Sequence, residues 1–345
     1  MRAAIWIQCA ILVFFGPAVA AATLRVPGAY ATIQGAVDQA GNGDTILVAP
    51  GTYIETRVLF DTKGNVRLLS SEGRAVTTLN GDIALVNSDK IVVVGFTING
   101  QVRISCNTLT VVEDCDVASP NGNGIVIAGC PGGAYSDVEI SRNCVRGNSG
   151  HGIEAELSGG KATIAGNIIR DNGASGVSIT HSYSEIAGNM IHDNAGHGIE
   201  IIQGTSSMRG NTISGNAGAG IRVVSGGSPY AQTISADIVA FNGTAGLLGD
   251  AGGIYNVTCC DVWKNGAAGN FNYAGAIADQ TGVSGNISAD PLFCDRTADN
   301  LSLLEGSPAL AQSCGTMGAR PEPGCAQPDA VRAATWGGLK AIFTK

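Results

Sequence analysis

Apolar and polar residues alternate along most of the chain, and the alternation returns at a regular spacing. The clearest copies begin at Ile164, Ile186 and Met208, and each has a Gly-Asn pair two residues after its first residue. Each copy ends on a glycine followed by an aliphatic residue, and successive glycines of this kind are 22 to 28 residues apart. Alternation with a period of two is typical of strands that bury one face.

Aligning the copies produces three columns of aliphatic residues, and each column predicts one short strand per repeat. The first column is Val112, Ile140, Ile164, Ile186, Met208, Ile234 and Val257. The second is Val117, Val145, Ile169, Ile191, Ile213, Val239 and Val262. The third is Ile125, Ile153, Val177, Ile199, Ile221 and Leu247.

Strands this short cannot form a core within one repeat, so the repeats must stack. A repeat of about 22 residues is too short for a strand–helix–strand crossover and for a propeller blade. Stacking turns each column into a parallel sheet and encloses the aliphatic side chains. The pattern therefore predicts an all-β solenoid, a coil of parallel strands.

Two rows of asparagine accompany the columns. The first row is Asn143, Asn167, Asn189 and Asn211, with Cys115 before it and Asp237 and Cys260 after it. The second row is Asn148, Asn172, Asn194, Asn216, Asn242 and Asn265. Asparagine tolerates the left-handed backbone of tight turns, and stacked amides can hydrogen-bond from coil to coil. We therefore expect these residues to be structural.

The start of the chain adds a second signal. Ile33, Ala36, Val37 and Ala40 are spaced as on one face of a helix, and Thr32 can cap it. The repeats, together with the segments 26–37 and 43–53, resemble the right-handed parallel β-helix proteins of the pectate-lyase-like superfamily. The resemblance implies a single-stranded right-handed parallel β-helix whose N-terminal helix caps the first coil.

We divide the chain on this basis into five parts. Residues 1–20 are a predicted signal peptide, 21–58 the N-terminal cap and first coil, and 59–285 the repeats. Residues 286–326 resemble a closing segment, and 327–345 form a tail. The signal is predicted because Arg2 precedes a short apolar run that ends at Ala18-Val19-Ala20. We therefore expect a secreted or cell-surface protein without a later membrane span.

The net charge of the chain argues against one class of binding partner, nucleic acids. The formal net charge is −8, and charged residues make up only 14% of the chain. A nucleic-acid-binding protein would usually show a basic face, so we expect no nucleic-acid partner. We also expect a monomer that binds a polysaccharide or a cell-surface component and needs no cofactor.

Export would allow disulfides to form. Of the ten cysteines only Cys9 lies in the predicted signal, so nine remain and at least one thiol is unpaired. Neighbouring strands lie about 4.8 Å apart, within the Cα range of a disulfide. Two pairs at equivalent places in neighbouring coils, and one pair around a Gly/Pro-rich loop, are candidates: Cys106–Cys130, Cys115–Cys144 and Cys314–Cys325. The alternative for the stacked pairs is a buried free thiol, which we expect above all for Cys260.

The candidate functional residues lie two positions after the repeated glycine, where side chains should point outward. This position holds Val126, Glu154, Ser178, Glu200 and Arg222. His151, His197, His181 and Tyr183 lie close by in the sequence. The family resemblance implies that sugar chains bind along such an outward sheet. We therefore predict ligand binding by His151, Ser178, His181, Tyr183 and Arg222.

One enzymatic alternative is a polysaccharide hydrolase. The Gly-His-Gly segments around His151 and His197 resemble an element of polygalacturonases, which makes His197, Glu200 and Glu154 candidate catalytic residues. Two coils separate the glutamates, about 9.6 Å by strand spacing, compatible with an inverting mechanism. The family's other catalytic elements are absent, and Ser175 and Ala219 replace the histidine in other repeats.

The second enzymatic alternative is a calcium-dependent lyase. It would use Asp114 and Asp116 as calcium ligands, with Arg142 or Arg146 as the base. Calcium is the cofactor that this alternative alone requires. No other metal site is predicted, because His151 and His197 are two coils apart and too distant for zinc bonds of about 2.0 Å.

Overall fold

The computed structural model describes residues 21–130, 137–157, 159–310, 313–320 and 322–325. The predicted signal peptide and the tail from residue 327 lie outside the described residues. Within the described ranges no helix is long and apolar enough to cross a membrane.

The chain winds into a parallel β-solenoid, and its first sheet contains eleven strands. These strands are β1 (Thr23–Val26), β2 (Thr45–Val48), β4 (Arg67–Ser70), β6 (Ile91–Val94), β9 (Leu109–Glu113), β12 (Asp137–Ser141), β15 (Lys161–Ala165), β18 (Tyr183–Ala187), β21 (Thr205–Arg209), β24 (Ala231–Ser235) and β27 (Ile254–Thr258).

The remaining strands of the solenoid form two further columns, which the long strands β3 (Gly51–Asp61) and β5 (Thr77–Val86) join near the N-terminus. The second column is β7 (Thr97–Asn99), β10 (Asp116–Val117), β13 (Cys144–Arg146), β16 (Ile168–Arg170), β19 (Met190–His192), β22 (Thr212–Ser214), β25 (Ile238–Ala240) and β28 (Asp261–Trp263). The third column is β8 (Val102–Ser105), β11 (Ile125–Ala128), β14 (Ile153–Glu156), β17 (Val177–Thr180), β20 (Ile199–Ile202), β23 (Ile221–Val224), β26 (Leu247–Gly249) and β29 (Tyr273–Gly275).

The predicted aliphatic columns form the core. Ile169 pairs in register with Ile191, and Ile191 pairs with Ile213. All three side chains are fully buried, as are Ile164 and Ile186 in the first sheet. Identical side chains thus stack from coil to coil, which confirms the all-β solenoid predicted from the repeat.

Both asparagine rows form buried hydrogen-bonded ladders. The Oδ1 atom of Asn194 accepts from the backbone N–H of Asn172 at 3.2 Å and from its Nδ2 at 2.8 Å. The left-handed residue of each turn is, however, the one before the ladder position, such as Asp171, Asp193 or Gly188. The asparagines are structural, as expected, but through their hydrogen bonds and not through a left-handed backbone of their own. Their amides instead satisfy backbone groups of neighbouring coils.

A short helix, α1 (Ile33–Gln39), lies at the N-terminal end of the solenoid. The Thr32 hydroxyl accepts a hydrogen bond from the N–H of Gly35 at 3.0 Å, as expected for an N-cap. Ile33, Ala36 and Val37 are buried within the main core. The helix therefore covers apolar side chains that the first coil would otherwise expose.

The chain after residue 290 folds back along the solenoid. It contains β30 (Phe293–Asp295), β31 (Asn300–Leu304), β32 (Pro323–Cys325) and the 3₁₀ turns Arg296–Ala298 and Pro308–Leu310. Leu303, Ala309 and Met317 pack against Ile238 and Ala240 of the second column. This C-terminal segment, described over residues 290–310, 313–320 and 322–325, therefore covers part of the outward face of that column.

Three disulfides are present among the described residues, and they correct two of the predicted pairs. Cys106 is bonded to Cys130 with a Cα–Cα distance of 4.6 Å, as the stacking of coils predicted. The prediction of Cys314 with Cys325 was wrong, because Cys314 pairs with Cys259 and Cys325 with Cys294. The prediction of Cys115 with Cys144 was also wrong. Those two residues are free thiols, as is the buried Cys260.

Candidate functional site

The outward face of the third column brings together most of the predicted site residues. Glu154 pairs in register with Ser178, Ser178 with Glu200, and Glu200 with Arg222. They form one row across four strands because every second residue of a strand points outward while its neighbours fill the core. The row lies on the face opposite the core, but Ser178 and Glu200 are themselves buried there, at 5% and 9% exposure.

The two histidines before this row are held by backbone hydrogen bonds. The Nδ1 atom of His197 accepts from the N–H of Ala219 at 2.9 Å, and Nδ1 of His151 accepts from the N–H of Ser175 at 3.2 Å. In the neutral ring of His197 the proton is therefore on Nε2, which lies 4.0 Å from Oε1 of Glu200. Burial lowers the pKa of His197, although the charge of Glu200 acts in the opposite direction.

Both glutamates act as hydrogen-bond acceptors. Glu200 forms an ion pair with Arg222 and accepts from the Ser175 hydroxyl at 3.4 Å. Glu154 accepts from Nδ2 of Asn123 at 2.6 Å. An inverting hydrolase needs one of the two carboxyl groups to be protonated so that it can donate to the leaving group. The ion pair with Arg222 suits a Glu200 carboxylate in the base role, so the acid role in such a mechanism would fall to Glu154.

The acids proposed for calcium are already paired with arginines. Arg146 forms two hydrogen bonds with the carboxylate of Asp116, at 3.1 and 2.9 Å. Asp114 lies 3.6 Å from Arg74, and Arg142 pairs with Glu113. A calcium ion would have to displace these guanidinium groups, which makes the predicted carboxylate pair a poor cation site.

His181 and Tyr183 lie apart from the row on the third column. His181 is in the turn that leads into the first sheet, and its Nε2 is 2.6 Å from Oε1 of Gln203. Tyr183 begins β18 and is 62% exposed. The predicted ligand-binding residues therefore belong to two different surfaces of the solenoid.

Tyr183 stands in a groove on the outward face of the first sheet. The groove has a volume of about 700 Å³ and crosses β12, β15, β18, β21 and β24. Its lining is Asp137, Gly159, Gly160, Lys161, Tyr183, Ser184, Glu185, Thr205, Ser206, Ser207, Ala231 and Thr233. A smaller cavity shares Tyr183 and Thr205 with it and adds His181, Gln203 and Tyr230.

Charge within the groove is largely compensated. Lys161 Nζ lies 2.8 Å from Oε2 of Glu185, and this hydrogen bond, together with the lysine charge, lowers the pKa of Glu185. The other groups in the centre of the groove are hydroxyls and the tyrosine ring. Such a surface can accept and donate hydrogen bonds while offering an aromatic face for stacking.

The sequence alone did not indicate this groove, although its residues carried a usable signal. Lys161, Glu185, Thr205 and Ser207 occupy the polar positions of the alternating pattern in the first strand of each repeat. Trp263, the last residue of β28, packs against the C-terminal segment, and its Nε1 is buried.

Comparison with known proteins agrees with the solenoid. The family model described as "Right handed beta helix region" matches residues 81–237 and 160–286. The two matches together span more than half of the chain. The protein therefore belongs to the right-handed β-helix family, and the handedness implied by the resemblance is confirmed.

Two solved structures are similar to the chain at low sequence identity. Pectate lyase Pel9A is 13% identical, with a TM-score of 0.52 over 86% of this chain and 96% of that chain. The A-module of mannuronan C-5 epimerase AlgE4 from Azotobacter vinelandii is 19% identical, with a TM-score of 0.46 over 66% of this chain and 70% of its own. No curated protein sequence matches the chain significantly.

Proposed function

We propose that this protein is a secreted β-helix protein that binds polysaccharide along the groove of the first sheet. The observation that carries the proposal is Tyr183, a large ring that is 62% exposed in the middle of this groove. An exposed aromatic ring between hydroxyl-bearing side chains suits the apolar face and the hydroxyl edge of a sugar. The pectate lyase that shares this fold acts on a polysaccharide, which supports the same class of ligand here.

The dimensions of the groove suit a chain of sugars. Lys161, Tyr183 and Thr205 are neighbours in register, and Asp137 and Ala231 extend the row by one strand on each side. Five strands at about 4.8 Å per step span roughly 19 Å, enough for several sugar units. Since Lys161 and Glu185 neutralise each other and Asp137 adds a negative charge, an uncharged chain is favoured over an acidic one.

Secretion is part of the proposal. It is supported by the N-terminal pattern described above and by three disulfides, which persist in oxidising compartments. Detection of a mature chain that begins near residue 21 in the medium of expressing cells would test it. Retention of the whole chain inside the cell would contradict it.

Affinity electrophoresis against uncharged and acidic polysaccharides tests the binding surface. The wild-type protein should be retarded by at least one uncharged polysaccharide, and Tyr183→Ala should weaken that binding at least about tenfold by removing the stacking ring. Phe271→Ala is the matched control, because Phe271 is 49% exposed and does not line the groove. Equal losses in both variants, or unchanged binding in Tyr183→Ala, would reject the groove as the site.

A further inference from the structure

A second group of side chains lies where the C-terminal segment meets the solenoid. His192 is the last residue of β19, and Asp193 follows it. Asp299 comes from the C-terminal segment, directly after the 3₁₀ turn Arg296–Ala298. One potential ligand atom from each of these three residues lies within 4.8 Å of the other two.

The imidazole of His192 is fixed by burial and by a contact with its neighbour in the chain. Only 3% of the His192 side chain is exposed, and its Nδ1 is 2.7 Å from Oδ2 of Asp193. Asp193 adopts a left-handed backbone with φ of 55°, which directs its carboxylate beside the ring. A Cβ at Gly215 would lie 2.6 Å from Oδ1 of Asp193, so glycine at that position leaves room for the carboxylate.

Around this group three carboxylates, those of Asp171, Asp193 and Asp299, are served by one guanidinium, that of Arg170. Arg170 is the nearby cation, and it forms a close ion pair with Asp171. Its Nη1 atom is 3.5 Å from Oδ2 of Asp299, a longer contact. The single guanidinium of Arg170 is therefore shared by Asp171 and Asp299, while Asp193 has the His192 ring as its partner. A divalent cation would supply the missing charge.

We propose that His192, Asp193 and Asp299 bind a divalent transition metal of the zinc class. One imidazole nitrogen and two carboxylate oxygens suit zinc or its neighbours, whereas calcium and magnesium prefer oxygen ligands alone. The histidine spacing predicted no metal site, because Asp299 is far from His192 in sequence and reaches it only through the folded C-terminal segment. The metal would join that segment to the solenoid, a role separate from polysaccharide binding.

Titration of the chelator-treated full-length protein with Zn²⁺ in a calorimeter tests the proposal. We expect one Zn²⁺ per chain, and we expect Ca²⁺ and Mg²⁺ to bind at least about tenfold more weakly. Affinity should also fall at acidic pH, because the metal competes with a proton for the imidazole. Failure to take up one equivalent of Zn²⁺ would overturn the proposal, and equal binding of Ca²⁺ would overturn the choice of metal.

Substitution of the proposed ligands tests where the Zn²⁺ ion binds. Asp193→Asn and Asp299→Asn should each weaken Zn²⁺ binding at least about tenfold, and because both carboxylates are exposed, folding should be retained. Glu305→Gln is the matched control and should not weaken binding, since Glu305 is an exposed carboxylate of the same segment outside the group. Zn²⁺ should also slow hydrogen exchange around Asp299 in the wild type but not in Asp299→Asn. Zn²⁺ binding by the double variant Asp193→Asn/Asp299→Asn as tight as by the wild type would refute the site.

Discussion

At the scale of single residues, Asp237 is the exception in an otherwise amide-based ladder. Its Oδ1 accepts from the backbone N–H and from Nδ2 of Asn211, as an asparagine oxygen would. Its Oδ2 is buried without a hydrogen-bond partner among the described residues. In the preceding coil, Nδ2 of Asn211 donates to the carbonyl of Ile186, and by register the equivalent carbonyl for Asp237 is that of Met208. A protonated Asp237 can make this missing bond.

The stability of the protein should therefore depend on the protonation of Asp237. Burial raises its pKa from 3.8 to about 7, so the native state keeps a proton that the unfolded chain loses above about pH 4. The stabilisation is complete below pH 4 and is lost as the pH rises to 7. Asp237→Asn supplies a permanent donor, so it should raise the free energy of unfolding at pH 8 by about 1–3 kcal/mol and change it little at pH 4.

Urea denaturation at the two pH values measures this effect. Asp137→Asn is the control, because Asp137 is exposed and its replacement should leave the pH dependence unchanged. Burial also raises the pKa of Asp261 to about 7, so the single variant should remove only part of the wild-type dependence. A wild-type protein that gains stability between pH 4 and pH 8 would contradict this view of both acids.

At the scale of elements, the ladders join strands that would otherwise meet only through their sheets. Asn194 shows how many bonds one such amide makes. Its Nδ2 donates to Oδ1 of Asn216 at 2.8 Å and to the carbonyl of Ile169 at 3.2 Å, while its Oδ1 accepts from Asn172. Each amide therefore serves backbone groups in turns that no strand pairing can satisfy.

Asn194→Ala should lower the free energy of unfolding by about 3 kcal/mol or more, because several buried groups lose partners together. Asn99→Ala is the matched control. Asn99 is exposed and its amide donates only to Asn80, so its loss should cost less than about 0.5 kcal/mol. Chemical denaturation of both variants provides the comparison, and similar losses would mean that the ladder adds nothing beyond ordinary surface hydrogen bonds.

At the scale of the whole molecule, the outward faces of the three strand columns differ in how far other parts of the chain cover them. The first sheet leaves a groove open around Tyr183, and the third column carries the row from Glu154 to Arg222. The second column is partly covered by the C-terminal segment, which the Cys259–Cys314 disulfide ties to the solenoid. The C-terminal segment therefore restricts access to the second column, whereas the groove of the first sheet stays open.

Replacement of Cys259 and Cys314 by serine should loosen the C-terminal segment. The bond closes a separation of 55 residues, and its removal should cost about 2–4 kcal/mol. Hydrogen exchange should then increase in β25, whose residues Ile238 and Ala240 lie under the segment. Removal of the Cys106–Cys130 bond is the control, since it links neighbouring coils and should leave β25 protected. Unchanged exchange in β25 after loss of Cys259–Cys314 would show that packing alone holds the segment.

The sequence by itself determined the solenoid. A repeat of about 22 residues with period-two alternation places Ile169, Ile191 and Ile213 in one column, because only stacking buries them, and the same register predicted Cys106–Cys130. Only the tertiary structure decided the remaining cysteine pairs, the separation of Tyr183 from Glu200, and the approach of Asp299 to His192. Some of these contacts involve segments outside the repeat, and the others depend on which side of the coil a residue faces. The local periodicity of the sequence determines neither the path of those segments nor the side.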